Sequence, residues 1–305
     1  DGVEARGGVT NRNVQGQAIN LSGDVRLAEF SRGVEASVRD PWFLGVPVAM
    51  DGNASYEWNN EEAYKAESSQ GGFFLTKSFG RAVTVESGYE FVRTVVLESE
   101  GDVEDLGTNY TSDVLGAITY DTRDDILNAR RGMLARLEGE LASSRLGGTN
   151  DFLRTELEWR GFFEVLERKV AAFSVRVGWI KPQGDGSDVP VNERFFAGGD
   201  GSVRGFGRNS LGPEGSGGSA KGGRGLVELR AEARFPLYRS LRMVAFADAG
   251  QVYEDFDAIS RAGLAVGAGG GLRFTTGIGV LRLDVAAPVT AHGPTRFYFG
   301  VGQAF

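Results

Sequence analysis

The side chains with chemical potential in this chain are its carboxylates and guanidiniums, and they are spaced regularly. Arg154, Glu156, Glu158 and Arg160 alternate with an apolar set made of Leu153, Leu157, Trp159, Phe163 and Val165. Arg136, Glu138 and Glu140 repeat the pattern, as do Glu228, Arg230, Glu232 and Arg234. By residue type alone such carboxylates admit the acid and base of a glycoside hydrolase. Interleaved with arginines in a charge ladder, they read as a solvated wall lining instead. No catalytic residue is assigned, and an enzyme is the disfavoured reading. The one histidine, His292, lies between Pro288 and Pro294 in an expected loop and reads as solvated. Gly267 to Gly271 lacks the following helix that a phosphate cradle needs, so its glycines are read as permitting close approach or strand bending. With no cysteine, the chain has no disulfide, thiol nucleophile or Cys/His metal site, and neither metal nor cofactor is expected. A formal charge of −8 argues against a nucleic-acid partner, which would require a clustered basic surface.

The elements that carry these residues have a period of two. Met133, Ala135, Leu137, Gly139 and Leu141 form one face of a segment whose other face is charged; Val227, Leu229, Ala231, Ala233 and Phe235 form another. Leu281, Leu283 and Val285 oppose Arg282 and Asp284, and Phe173, Val175, Val177 and Trp179 oppose Ser174 and Arg176. Glycine fills 46 of 305 positions with no collagen period, and no apolar run reaches the length of a membrane-spanning helix. The fold class is therefore all-β. A soluble antiparallel sandwich with one wet face would alternate in the same way. Strand length and number favour a transmembrane antiparallel barrel with an apolar outside and a wet lumen. Fifteen segments are expected: 2–10, 17–29, 31–39, 47–58, 61–79, 81–98, 109–122, 131–144, 151–165, 168–180, 224–236, 241–251, 261–275, 278–288 and 295–305. Their connections alternate between tight turns and longer loops, as periplasmic and extracellular connections do. An odd count conflicts with the even number usual in single-chain bacterial barrels. The expectation is thus a sixteen-stranded barrel whose first strand lies upstream of Asp1, with Asp1 and Gly2 the remnant of the first loop. Residues 1–305 are read as one barrel domain. Trp42, Trp58, Trp159, Trp179, Tyr56, Tyr89 and Tyr238 are candidates for the aromatic girdles.

The longest connection, about 181–224, divides in two. Arg194 to Phe206 mixes aromatic, glycine and charged residues and demands a specific fold, whereas Gly207 to Gly223 is Gly/Ser-rich and reads as a mobile tip. Phe195-Phe196-Ala197-Gly198-Gly199 followed by Val203-Arg204-Gly205-Phe206 resembles the sixth extracellular loop of the outer-membrane protein assembly superfamily, whose branches include BamA, TamA and the two-partner secretion transporters. Phe246-Ala247-Asp248-Ala249-Gly250 resembles a strand motif of the same family. So do the terminal run Phe297 to Phe305 and two turn signals, Asp40 to Gly45 and Tyr120 to Asp124. The loop motif is most similar to that of the TamA branch.

That resemblance implies a bacterial outer-membrane insertase or translocase that assembles β-barrel or autotransporter proteins through a lateral seam. Its expected partners are the outer-membrane bilayer, unfolded outer-membrane protein substrates and an inner-membrane-anchored TamB-like protein; POTRA domains would lie upstream and are absent from these residues. It also implies a site. Val203, Arg204, Gly205 and Phe206 would fold into the lumen, with Arg204 reaching Asp248 on a wall that also presents Phe246 and Gly250. A guanidinium fork suits that task because it can bond a carboxylate while stacking on Phe246 or Phe206. Phe297, Phe299, Gly300, Val301, Gly302 and Phe305 would form the seam strand, with Phe305 in the outward register of Phe297, Phe299 and Val301. The alternatives are a BamA-type assembly protein, a two-partner secretion pore and a passive porin.

Overall fold

The computed structural model describes residues 4–305 apart from 62, 100–105, 184–188, 216, 261–262 and 278, and the side chains of 259–260 are likewise left aside. Asp1 and Gly2, read above as a loop remnant, fall outside the described residues. One antiparallel sheet contains β1 (Glu4–Val14), β2 (Ile19–Ala28), β3 (Ser31–Asp40), β4 (Ala49–Asn60), β5 (Tyr64–Phe79), β6 (Val83–Ser99), β7 (Gly107–Asp121), β8 (Gly132–Ala142), β9 (Phe152–Leu166), β10 (Lys169–Pro182), β11 (Gly225–Tyr238), β12 (Leu241–Tyr253), β13 (Ala265–Thr276), β14 (Gly279–Pro288) and β15 (Arg296–Val301). Each of the fifteen expected segments corresponds to one strand. Every strand pairs with its sequence neighbours in the order β1 to β15, and among the described residues no ladder joins β1 to β15.

The period-two pattern sets what faces where, because side chains alternate across a strand. Leu157, Phe163, Phe173 and Leu283 lie on the exposed outside, while Glu232, Arg234, Arg273 and Asp284 are buried on the inside. This inverts the usual partition of a soluble domain, where charged groups are the ones left in water. It is the partition of a transmembrane barrel, and the chain is an all-β barrel of that type. The tight turns between β5 and β6, β9 and β10, and β11 and β12 lie at one rim, while the short β2–β3 turn lies at the opposite rim with the long loop. In the β9–β10 and β11–β12 turns, Arg168 and Arg239 adopt positive φ (64° and 47°).

The long loop between β10 and β11 fills the lumen. Val189, Phe195, Val203 and Leu211 from the loop pack against Ile180, Leu226 and Val252 from the wall, an apolar core inside an otherwise charged interior. The Gly/Ser-rich half is not a free tip. Ala197 bridges to Leu211, Glu214 to Ala220, and Gly223 returns to Phe195. Leu211 and Ala220 are buried, so the segment from Gly207 to Gly223 is folded back on the barrel. Its glycines serve compact turns rather than mobility; Gly212, for example, takes φ 132° with Val252 against it.

The last strand departs from expectation. β15 ends at Val301, and Gly302 takes φ 103°, a left-handed conformation open to glycine. The turn carries Gln303, Ala304 and Phe305 away from the sheet and into the lumen. Phe305 is buried against Ala129, Phe162 and Ala172 and therefore does not share the outward register of Phe297, Phe299 and Val301.

Candidate functional site

Arg204 is placed by the loop and received by four strands. The turn at Gly205, with φ 101°, brings the loop backbone so close to β14 that a Cβ there would lie 2.8 Å from the Ala287 carbonyl carbon. On β13 the facing position is Gly267, where a Cβ would stand 1.9 Å from the Arg204 carbonyl oxygen. Those glycines create the space into which the loop descends. Gly250 on β12 does the same for Val203, whose Cγ2 lies 2.8 Å from the place a Cβ would take.

The guanidinium then meets its partners. Arg204 Nε donates to Asp248 Oδ2 at 2.6 Å and Nη2 donates to Oδ1 at 2.9 Å, a two-pronged contact on β12. Nη1 donates to Glu232 on β11 at 2.9 Å and to Asp284 on β14 at 3.1 Å. The backbone N–H of Arg204 also donates to Asp248, at 3.2 Å. The guanidinium carbon sits 3.4 Å from the Phe246 ring centroid, so stacking is on Phe246 and not on Phe206. Phe206 instead flanks the loop core, and its carbonyl accepts from Tyr298 on β15 at 3.3 Å. Gly205 N–H in turn donates to the Tyr298 hydroxyl at 2.9 Å.

Three carboxylates around one arginine would leave buried negative charge, and the structure answers with two more cations. Arg273 on β13 donates to Asp284 at 3.0 Å, and Arg234 on β11 donates to Glu232 at 3.0 Å. The cluster thus balances Arg204, Arg234 and Arg273 against Glu232, Asp248 and Asp284, all of them buried. Neutrality is what permits such burial, since an unpaired charge here would carry its full desolvation cost. Burial works to lower the pKa of Arg204, and the carboxylates, Asp248 first, outweigh it and hold the guanidinium above its ordinary value. Nearby, Asp200 of the loop contacts Arg282 of β14 and Ser202 contacts Glu228 of β11.

This arrangement corrects one expectation and extends another. Glu228, Arg230, Glu232 and Arg234 are not solvated lining; the loop covers them and all four are buried. Glu138, Glu156, Glu158, Arg136 and Arg160 stay partly exposed, and so does Arg154, although its guanidinium stacks on the loop's Phe195 at 4.7 Å. Arg204, Asp248, Phe246 and Gly250 are brought together. Glu232, Arg234, Arg273 and Asp284 are further members, not expected at the site from the sequence. Their one sequence signal is an inward charge on β11, β13 and β14, on successive inward rows that only the strand register brings together.

The seam residues are divided. Phe297, Phe299 and Val301 point outward and are exposed, Gly300 and Tyr298 face the lumen, and Gly302 makes the turn. Gly302 N–H donates to Val280 on β14 at 2.6 Å. Alternation along an antiparallel strand then aims the N–H groups of Phe297, Phe299 and Val301 at the opposite edge. Phe305 is not part of the strand: Arg230 and Arg234 approach its ring at 5.0 and 5.8 Å, and Arg234 donates to its carbonyl at 3.4 Å.

Residues 13–305 match the Omp85 superfamily domain. The chain is 27% identical over 242 residues to the outer membrane protein assembly factor BamA of Nitratidesulfovibrio vulgaris, covering 74% of this chain and 30% of that protein. It is 30% identical over 114 residues to the human sorting and assembly machinery component 50 homolog, covering 37% of this chain and 24% of that protein. The chain therefore spans about a third or less of the length of these relatives. Its fold is similar to the crystal structure of BamA from Haemophilus ducreyi lacking POTRA domains 1–3, with a TM-score of 0.85 at 19% identity over 98% of this chain and 67% of the other. With a family match over nearly its whole length and the loop and wall geometry described above, the chain belongs to the Omp85 superfamily and is a bacterial outer-membrane β-barrel.

Proposed function

We propose that the chain is the membrane barrel of an outer-membrane protein assembly factor, which inserts unfolded β-barrel or autotransporter substrates by offering them the edge of β15. The carrying observation is the weakness of that strand. Its ladder runs over six residues, Arg296–Val301, whereas the other strands have ten to seventeen. A short strand that turns inward after Gly302 holds few backbone bonds to release. An incoming strand can add its own hydrogen bonds as the seam opens, so that bonds are exchanged and no edge is left bare in lipid. A sixteenth strand upstream of Asp1, expected from the odd count, would face β15 at this seam. Arg204 contributes by pinning the loop. Through Tyr298 it also fixes β15 from the lumen side, so loop and seam strand are one mechanical unit.

The relatives named BamA support assembly rather than passive permeation. Within the family, the motif Val203-Arg204-Gly205-Phe206 favours a TamA-type role with an inner-membrane-anchored TamB-like partner and upstream POTRA domains. The similarity to BamA proteins favours the BamA-type role as second reading. Co-purification distinguishes them, since a TamB-like protein marks the first and assembly lipoproteins mark the second. The shared proposal is tested with cysteine at position 299 and in the final strand of a client barrel. Position-specific disulfide capture during insertion is the expected result; capture no greater than at Leu157→Cys, on the lipid face of β9, would contradict it.

A further inference from the structure

The outward face of the barrel carries one feature that strand addition does not explain. β8, β9, β11, β12 and β14 place no charged side chain on their lipid side: the outward positions read Met133, Ala135, Leu137, Gly139 and Leu141 on β8, and Leu281, Leu283, Val285 and Ala287 on β14. β3 to β6 differ. Arg32 on β3 is paired with Trp58 on β4, and Trp58 with Glu67 on β5; one row below, Tyr56, Ser69 and Arg93 stand side by side, followed by Tyr110 on β7. All of these lie on the outward face, opposite the lumen-facing Ser68 and Thr94.

Their height can be worked out from β5. Between outward Glu67 and outward Lys77 the same face carries only Ser69, Gly71, Phe73 and Leu75. Ten residues at about 3.4 Å each, tilted about 40°, rise about 26 Å, the height of the apolar band of an outer-membrane barrel. Lys77, stacked on Phe79, marks the lower boundary, and the row of Arg32, Trp58 and Glu67 marks the upper one. The upper boundary is on the side of the long loop, which is the extracellular leaflet.

Both arginines there are open to the bilayer. Arg32 is exposed, with its guanidinium 4.6 Å from the Trp58 ring centroid. Arg93 is exposed beside Tyr110, and neither guanidinium is ion-paired with another described residue. Glu67 is the one carboxylate beside these two arginines, which leaves the patch with a net positive charge. Guanidinium is matched to phosphate by its fork, and tryptophan and tyrosine settle at headgroup depth. Three strand spacings and one row separate Arg32 from Arg93, about 16 Å, within joint reach of two long side chains for one multiply phosphorylated headgroup.

We propose that Arg32 and Arg93, framed by Trp58, Tyr56 and Tyr110, bind the phosphate groups of an anionic lipid in the extracellular leaflet. Such a site fixes the lipid against β3 to β6, several strands away from β15.

The test is native mass spectrometry of the detergent-solubilised protein with a diphosphorylated glucosamine lipid, its dephosphorylated form, and inorganic phosphate as competitor. The wild-type protein retains the phosphorylated lipid and not the dephosphorylated one, and inorganic phosphate does not displace it. Replacement Arg32→Gln with Arg93→Gln weakens retention about thirtyfold, the effect of two surface cations near an anionic headgroup, while Arg32→Lys with Arg93→Lys keeps most of it. Heat-modifiable gel mobility confirms that the variants are folded. Equal retention of both lipid forms by the wild type, displacement by inorganic phosphate, or unchanged retention by the glutamine pair each overturns the proposal. None of these readouts depends on insertase activity, so the site and the function above fail or stand separately.

Discussion

Replacing Arg204 with alanine removes the one cation that the loop contributes to a neutral buried cluster. Asp248 loses a two-pronged partner, Glu232 and Asp284 each lose one bond, and the Phe246 ring loses the guanidinium stacked on it. Asp248 keeps only the backbone N–H of residue 204. Arg234 and Arg273 then face three carboxylates, which leaves one uncompensated negative charge in a site closed to water. Breaking a buried pair from one side costs about 3–5 kcal/mol. With solvent-excluded partners the whole of that range applies, and the ratio of docked to undocked loop falls by about two to three and a half decades. The assay is trypsin cleavage after Lys221 or Arg208 in intact outer membranes. Arg204→Ala should speed cleavage at least a hundredfold, and Arg204→Lys, which keeps charge without fork or stack, should fall between. The pair Arg204→Met with Asp248→Asn restores neutrality, so its effect should be smaller than the sum of the two single effects. A cleavage rate for Arg204→Ala within about twofold of wild type would refute the reasoning, because no buried ion pair of this kind is lost so cheaply.

Gly267→Val places a side chain where the Arg204 carbonyl lies and should expose the loop to trypsin as Arg204→Ala does, with β13 still folded by heat-modifiability. Arg208 donates to Glu61 at 2.7 and 3.0 Å and ties the loop to the β4–β5 connection; being partly exposed, its replacement by alanine should cost at most about 1 kcal/mol, read as a small rise in loop hydrogen exchange. Glu193 is half-buried among Glu90, Asp113 and Glu140, with Arg154 as counter-charge, and desolvation raises its pKa. A raised carboxyl pKa means that the docked loop holds the proton more tightly than the released loop, so docking is strongest in acid and weakens as pH rises through the raised value. Loop protection should therefore be greater at about pH 5 than at about pH 8, and Glu193→Gln should reduce the difference. Phe305→Ala empties the place between Ala129, Phe162 and Ala172 and should free residues 302–305, at a cost of about 3 kcal/mol, seen as faster exchange at the end of the chain with β14 unaffected.

The strands were legible because charge alternates with apolar side chains at every second residue, and a period of two leaves little choice of face. Leu157 and Glu158, or Leu283 and Asp284, declare opposite sides without any tertiary knowledge. Arg204 and Asp248 were legible through motif resemblance and through the parity that puts Asp248 with Phe246 on the lumen face. The rest of the cluster was not, since Glu232 in its ladder of alternating charges looks no different from Glu158. What separates them is the loop lying over one and not the other. The loop's second half was misjudged for a related reason: glycine and serine suit mobile chain and compact turns equally, and Leu211 and Ala220 are too few to announce burial by composition. Phe305 was misplaced because parity holds only while a strand continues, and Gly302 ends it.

The seam claim is tested most directly at Phe299, whose N–H is aimed at the free edge of β15 while its neighbours bond β14. Phe299→Pro deletes that donor and leaves the β14 ladder its own bonds. In vesicles that contain the protein, the conversion of an unfolded client barrel to its heat-modifiable folded form should slow strongly with Phe299→Pro and stay near wild type with Phe299→Ala, which keeps the N–H, once both variants are shown to be folded themselves. Client insertion by Phe299→Pro at the wild-type rate would contradict templating by the last strand.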